Sequence, residues 1–255
     1  MPPISDDIIR LYDSFTHGDL DRRAFFERLA RIAGGAAAAS ALLPVLANDY
    51  ARAAIVAEDD PRLETFATEF DTGDIVDEIA DDAPAASGAA TLPHAPFVTA
   101  YGARPKKESI LPAVVVIHEN RGLNPHIKDV ARRVALEGFQ AFAVDMLSPY
   151  GGTPTDEDRA RALIGRLNRE KTAAKLAKVV EKLALLKTHQ RMVGAVGFCW
   201  GGGMINALAA AQPALKAGVV YYGRQASAEE AARIKAALLI HYAEKDERIK
   251  AGAAA

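Results

Sequence analysis

The sequence predicts an α/β fold, a mostly parallel sheet with helices on both faces. Three observations carry this. Apolar runs of strand length recur at 113–118, 139–145, 193–197, 217–222 and 237–242. Segments with apolar residues at helical spacing alternate with them. The run 112–118 is continuous and rich in Val and Ile, as a strand buried on both faces is, and alternation of strand and helix implies a mostly parallel sheet.

The N-terminal part, residues 1–54, is of another kind. Ile8, Ile9, Leu11, Tyr12 and Phe15 place an amphipathic helix over residues 4–20. Next come Arg22 and Arg23, the pair Phe25-Phe26, and an Ala/Gly-rich apolar run from Ile32 to Leu46. Two arginines before a weakly apolar stretch fit a twin-arginine export signal, with cleavage at Val45-Leu46-Ala47 or Ala51-Arg52-Ala53 and a periplasmic destination. The other reading is an amphipathic helical hairpin in a cytoplasmic protein. Gly34, Gly35 and Pro44 break the apolar run, so it predicts no membrane span. Residues 55–96 are acidic and rich in Ala, Pro and Gly, which predicts a linker with at most short edge strands.

The remaining residues, 97–255, hold the α/β series. Phe97–Pro105 alternates like an edge strand. Pro112–His118 is the first core strand, Ile127–Glu137 a helix closed by Gly138, and Phe139–Asp145 the next strand. After a Pro/Gly loop come helices over Asp156–Leu167 and Thr172–Leu186. Ala217–Tyr222 is a strand, Ser227–Ile234 a helix opened by the capping box Ser227-Ala228-Glu229-Glu230, and Ala237–Tyr242 the last strand. A chain of 255 residues accommodates one such domain with an extension. A net charge of −2 gives no basic surface for nucleic acid. Cys199 is the single cysteine, which excludes an internal disulfide and any two-cysteine metal site.

That cysteine lies in the most informative stretch, Val193-Gly194-Ala195-Val196-Gly197-Phe198-Cys199-Trp200-Gly201-Gly202-Gly203. A strand ending at Gly197, the pattern Gly-x-Cys-x-Gly, and a helix over Met204–Ala211 match the nucleophile elbow of α/β-hydrolases, with Cys in place of Ser. The glycines let backbone pass close to a strained turn. The helix N-terminus favours a thiolate. The expected architecture is therefore an α/β-hydrolase-like three-layer sandwich.

Two further segments follow core strands: His118-Glu119-Asn120-Arg121-Gly122-Leu123-Asn124 and Ala243-Glu244-Lys245-Asp246. Together with the elbow, over residues 97 to 250, they resemble the dienelactone hydrolase (carboxymethylenebutenolidase) family. The resemblance implies hydrolysis of an enol-lactone or related small-molecule ester by a Cys-His-Asp triad through a thioester, with no cofactor and no metal. By position, Cys199 matches the nucleophile, Asp246 the triad acid, and Glu119 the glutamate that takes the thiol proton. Backbone N–H groups of Trp200 and Asn120 correspond to the oxyanion hole. Arg121 and Arg224 are candidates to bind a substrate carboxylate.

One departure stands out. The order nucleophile, acid, histidine requires a His after Asp246, and residues 247–255 contain none. The last strand and closing helix of the family are also not evident. The expectation is a C-terminally incomplete domain, either a truncated hydrolase or a relic that binds without catalysis. A third reading makes Cys199 a thiol redox sensor.

Overall fold

The computed structural model describes residues 5–16, 20–46, 54–75, 95–108, 110–244, 246, 249 and 252. The chain forms two compact units, Met1–Ala53 and Ala54–Ala255.

The first unit contains α1 (Asp6–Thr16), α2 (Arg22–Ala33) and α3 (Ala36–Leu46). Asp21 caps α2 by accepting the Ala24 N–H, and Gly34 ends it at φ 85°. Ile8, Leu11, Phe15, Phe25 and Leu29 pack together, with the Phe15 and Phe25 rings stacked at 4.5 Å. The expected cleavage positions at Ala47 and 51–53 lie outside the described residues. No helix among the described residues is long and apolar enough to cross a membrane.

The second unit is built on a seven-stranded sheet. Its strands are β1 (Leu63–Asp71), β2 (Phe97–Pro105), β3 (Ala113–Ile117), β4 (Gln140–Asp145), β5 (Val193–Phe198), β6 (Leu215–Tyr221) and β7 (Ala237–His241), in the order β1-β2-β4-β3-β5-β6-β7. β4, β3, β5, β6 and β7 run parallel, while β1 and β2 are antiparallel additions at one side. The helices are α4 (Pro125–Leu136), α5 (Glu157–Arg166), α6 (Arg169–Leu185), α7 (Trp200–Ala211) and the single turn α8 (Ala228–Ala231).

Both faces of the central strands are buried, and alternate residues go to opposite sides. Val115, Ile117, Phe142, Val144 and Ala195 join Leu176, Val179, Ile205 and Leu208 of α6 and α7. Val116, Ala141 and Ala143 join Ile127, Val130 and Ala131 of α4. This is the expected three-layer sandwich, and it brings the carboxyl ends of β3, β5, β6 and β7 to one edge.

Three sequence expectations need correction. Residues 55–96 are not all linker. Leu63–Asp71 is a nine-residue strand, and the N–H groups of Ile55 and Val56 donate to the buried carboxylate of Asp129 at 3.1 and 2.8 Å. Phe97–Pro105 is consequently an interior strand, paired with β1 on one side and β4 on the other. The helix after the elbow begins at Trp200, not Met204, and β5 extends to Phe198.

Candidate active site

Cys199 stands between β5 and α7 at φ 52°, ψ −115°, a left-handed conformation rare for a residue with a side chain. Holding it costs about 1–3 kcal/mol, so surrounding contacts must impose it. One is the Cys199 N–H, which donates to Tyr221 O at 3.0 Å and extends the β5–β6 ladder one residue past the strand. The others are close backbone approaches. A Cβ on Gly197 would lie 2.3 Å from Gly201 O, and one on Gly201 would lie 2.4 Å from His118 O. Here only glycine fits. The turn leaves the thiol partly exposed at the N-terminus of α7, whose first N–H groups have no acceptor within the helix.

Glu119 follows β3. Its carboxylate accepts the Tyr222 hydroxyl at 3.0 Å. Tyr222 follows β6, has φ 41°, and donates its N–H to His241 O at 2.8 Å. Since β5 lies between β3 and β6, this bond crosses the strand end that carries Cys199. The sequence reading passed over Tyr222 as a strand end; its adjacency to the elbow strand was a signal only once strand order was known.

Asn120 lies in the turn 119–122, closed by the Gly122 N–H to Glu119 O at 3.4 Å. Trp200 opens α7, and its indole stacks on the His118 ring at 5.3 Å. His118 is fully buried. Its Nε2 accepts the Met146 N–H at 3.2 Å, which leaves the proton on Nδ1 to donate to Glu119 O at 2.6 Å. Burial pushes this imidazole below its ordinary pKa, against the opposing fields of Asp145 and Glu119. Both ring nitrogens are thus used in holding backbone.

The other candidates stand apart. Asp246 follows β7; its Oδ1 accepts the Ile249 N–H at 3.0 Å, and among the described residues no histidine bonds to it. His241 is exposed at the end of β7, its ring 4.7 Å from Tyr221 and parallel to it. Arg121 is buried, with Nε 3.1 Å from Glu157 Oε2, so its charge already has a carboxylate. Arg224 is exposed, and its carbonyl accepts the Asn206 amide at 2.7 Å. Among the described residues no cluster of His, Cys, Asp or Glu is placed to hold a metal ion.

The protein-family description "Dienelactone hydrolase family" matches residues 98–255. The chain belongs to the dienelactone hydrolase family. Its curated relatives include the "Putative hydrolase fragment YghX" of Escherichia coli, 57% identical over 67 residues, covering 26% of this chain and 57% of that protein. A "Putative carboxymethylenebutenolidase" of the same organism is 35% identical over 131 residues, 49% of this chain and 48% of the relative. The chain thus spans about half the length of the curated relatives it matches. Among solved structures, the "Putative Dienelactone Hydrolase" of Klebsiella pneumoniae is 26% identical, with a TM-score of 0.51 over 69% of this chain and 72% of the other. A "Dienelactone Hydrolase-like Promiscuous Phospotriesterase" from metagenomic libraries, 23% identical, shares the fold with a TM-score of 0.55 over 74% and 75% of the two chains. The dienelactone hydrolase fold accounts for the five parallel strands and the flanking helices.

Proposed function

We propose that this dienelactone hydrolase family member is a thiol esterase acting on carboxylic esters, with enol-lactones as the substrate class the family name points to. The observation that carries the reading is Cys199 held at φ 52° between strand and helix. Strain held at a partly exposed thiol that opens a helix supports a functional role for it.

In this reading Glu119 accepts the thiol proton, steadied by Tyr222. The thiolate attacks the acyl carbon, and the carbonyl oxygen takes the negative charge. The N–H groups of Trp200 and Asn120 stabilise that oxyanion. Collapse breaks the C–O bond, the leaving alkoxide or enolate oxygen takes back the proton held by Glu119, and a thioester remains on Sγ. Water then attacks the thioester, a step that needs a base. The resemblance assigns it to a histidine oriented by Asp246, and His118 is unsuited because both its nitrogens hold backbone.

The test is to mix the protein with p-nitrophenyl acetate and look for an acetyl group on Cys199 by mass spectrometry. The expected result is one acetyl per chain, prevented by prior iodoacetamide treatment. Release of p-nitrophenolate that survives Cys199→Ala, or labelling only in denaturant, overturns the reading.

A further inference from the structure

Asn120 sits in a turn that a second loop grips on both sides. Upstream, His118 connects the Glu119 carbonyl to the Met146 N–H. Downstream, the Leu123 N–H donates to Thr153 Oγ1 at 2.9 Å. Thr153 in turn donates its hydroxyl to Asp145 Oδ1 at 2.8 Å and its N–H to Oδ2 at 2.9 Å. Asp145, the last residue of β4, is 7% exposed and also accepts the Leu147 N–H at 3.0 Å. Gly122 has φ +75°, and a Cβ there would lie 2.3 Å from Thr153 Oγ1, so the two loops are in direct contact.

We propose that Asp145 and Thr153 are positioning residues for the oxyanion donor at Asn120; this rests on the esterase reading above. A donor N–H works only within a few tenths of an ångström of its place, about 2.7–3.1 Å from the developing oxyanion. The bond that closes the turn, Gly122 N–H to Glu119 O, is long at 3.4 Å. A buried carboxylate accepting three hydrogens is a rigid anchor, because its bonds are charge-assisted. Thr153 carries that rigidity to the turn. Its hydroxyl accepts from Leu123 and donates to Asp145, two roles that serine can fill and valine cannot.

Three measurements on the full chain test this: acetylation of Cys199 by p-nitrophenyl acetate, its alkylation by iodoacetamide, and hydrogen exchange of residues 119–124. Attack on an ester develops an oxyanion, whereas displacement of iodide does not. Thr153→Val is expected to slow acetylation by about ten-fold or more, part of the loss seen when an oxyanion donor is removed outright. Alkylation should stay within about two-fold on that same argument, since no oxyanion forms. Exchange in 119–124 should rise, and Thr153→Ser should behave as wild type. If Thr153→Val does not fold, Asp145→Asn, which keeps the shape of the side chain, must show the same selective loss of acetylation. Wild-type rates of acetylation in the folded variants, or equal slowing of both reactions, overturn the proposal. Wild-type protein that is alkylated but never acetylated overturns the esterase reading and the role with it. That failure is distinct from acetylation that survives Thr153→Val.

Discussion

Tyr222 donates its hydroxyl to Glu119 Oε1 at 3.0 Å across the end of β5, the strand that delivers Cys199. The two residues are 103 positions apart in sequence and follow strands, β3 and β6, that are not neighbours. The bond therefore reports that the loops after β3 and β6 meet across the end of β5. Removing it should free the Glu119 carboxylate to leave this position.

Tyr222→Phe keeps the ring and deletes only that donor. A hydrogen bond of this kind contributes on the order of 1 kcal/mol, roughly a five-fold change in rate. The variant should acetylate Cys199 about that much more slowly, with an unchanged circular dichroism spectrum. An unaltered rate would mean that Glu119 is placed by other contacts.

The elbow makes a sharper stability prediction. Gly197→Ala and Gly201→Ala would each push a methyl into backbone oxygen at 2.3–2.4 Å, which no rotamer relieves. Each should destabilise by at least about 2 kcal/mol, seen as a lower denaturation midpoint. Gly165, inside α5, has nothing within 4 Å of an added Cβ. Gly165→Ala should instead stabilise by about 0.5–1 kcal/mol, by helix propensity alone.

These glycines also explain what was legible in the sequence. The strands β3, β4 and β5 showed themselves by apolar runs that serve two covered faces, whereas the equally apolar run of β7 lies mostly exposed; the Ser227 capping box forms as written. The start of α7 did not, because Gly201, Gly202 and Gly203 have poor helix propensity and read as a turn. They are glycines because Cβ atoms there would meet His118 O, Tyr221 O and Arg224, a tertiary demand no local window contains. β1 was hidden for the opposite reason. Of its nine residues only Leu63 and Phe70 are buried, so its composition is that of surface. The Asp145–Thr153–Leu123 brace and the Tyr222–Glu119 bond depend on strand order, which residue spacing does not disclose.

His118 sets a pH dependence. Burial lowers its pKa in the folded state, and burial lowers that of His189 as well. The unfolded chain then binds more protons than the folded one below about pH 6.5, the ordinary histidine value. The stabilising contribution is complete above that pH and is lost as pH falls through it, with a slope of up to about 1.4 kcal/mol per pH unit for each group. Denaturation midpoints between pH 7 and 5 should show the decline, and His118→Gln should flatten it. A midpoint that rises on acidification would contradict this sign.

Arg22 and Arg23 occupy the first two positions of α2, where the helix dipole disfavours cations. Arg23 recovers some of this by pairing with Glu27 at 3.0 Å, but both partners are exposed and the gain is small. Two arginines ahead of a weakly apolar run fit an export signal, and we propose twin-arginine export to the periplasm. Replacing both with Lys keeps the charge and should leave full-length protein in the cytoplasm. Cytoplasmic, uncleaved protein with both arginines intact would favour a helical unit that stays with the domain.

The last prediction concerns the second half of the reaction. Acylation needs a thiolate, a proton acceptor and an oxyanion hole, and Cys199, Glu119, Asn120 and Trp200 are candidates for all three. Deacylation also needs a base to activate water, and each described histidine near the sheet edge is otherwise placed: His118 is neutral and locked by two backbone bonds, and His241 is stacked on Tyr221. Loss of one triad function typically lowers turnover by a factor on the order of 10³. The 255-residue polypeptide should therefore release about one equivalent of p-nitrophenolate and then stall as the thioester. Free imidazole should restart turnover by supplying the base from solution, over the background measured with Cys199→Ala. A fast steady state without imidazole would show that a residue within these 255 positions serves as the base, and Glu119→Gln would then be the variant to examine first.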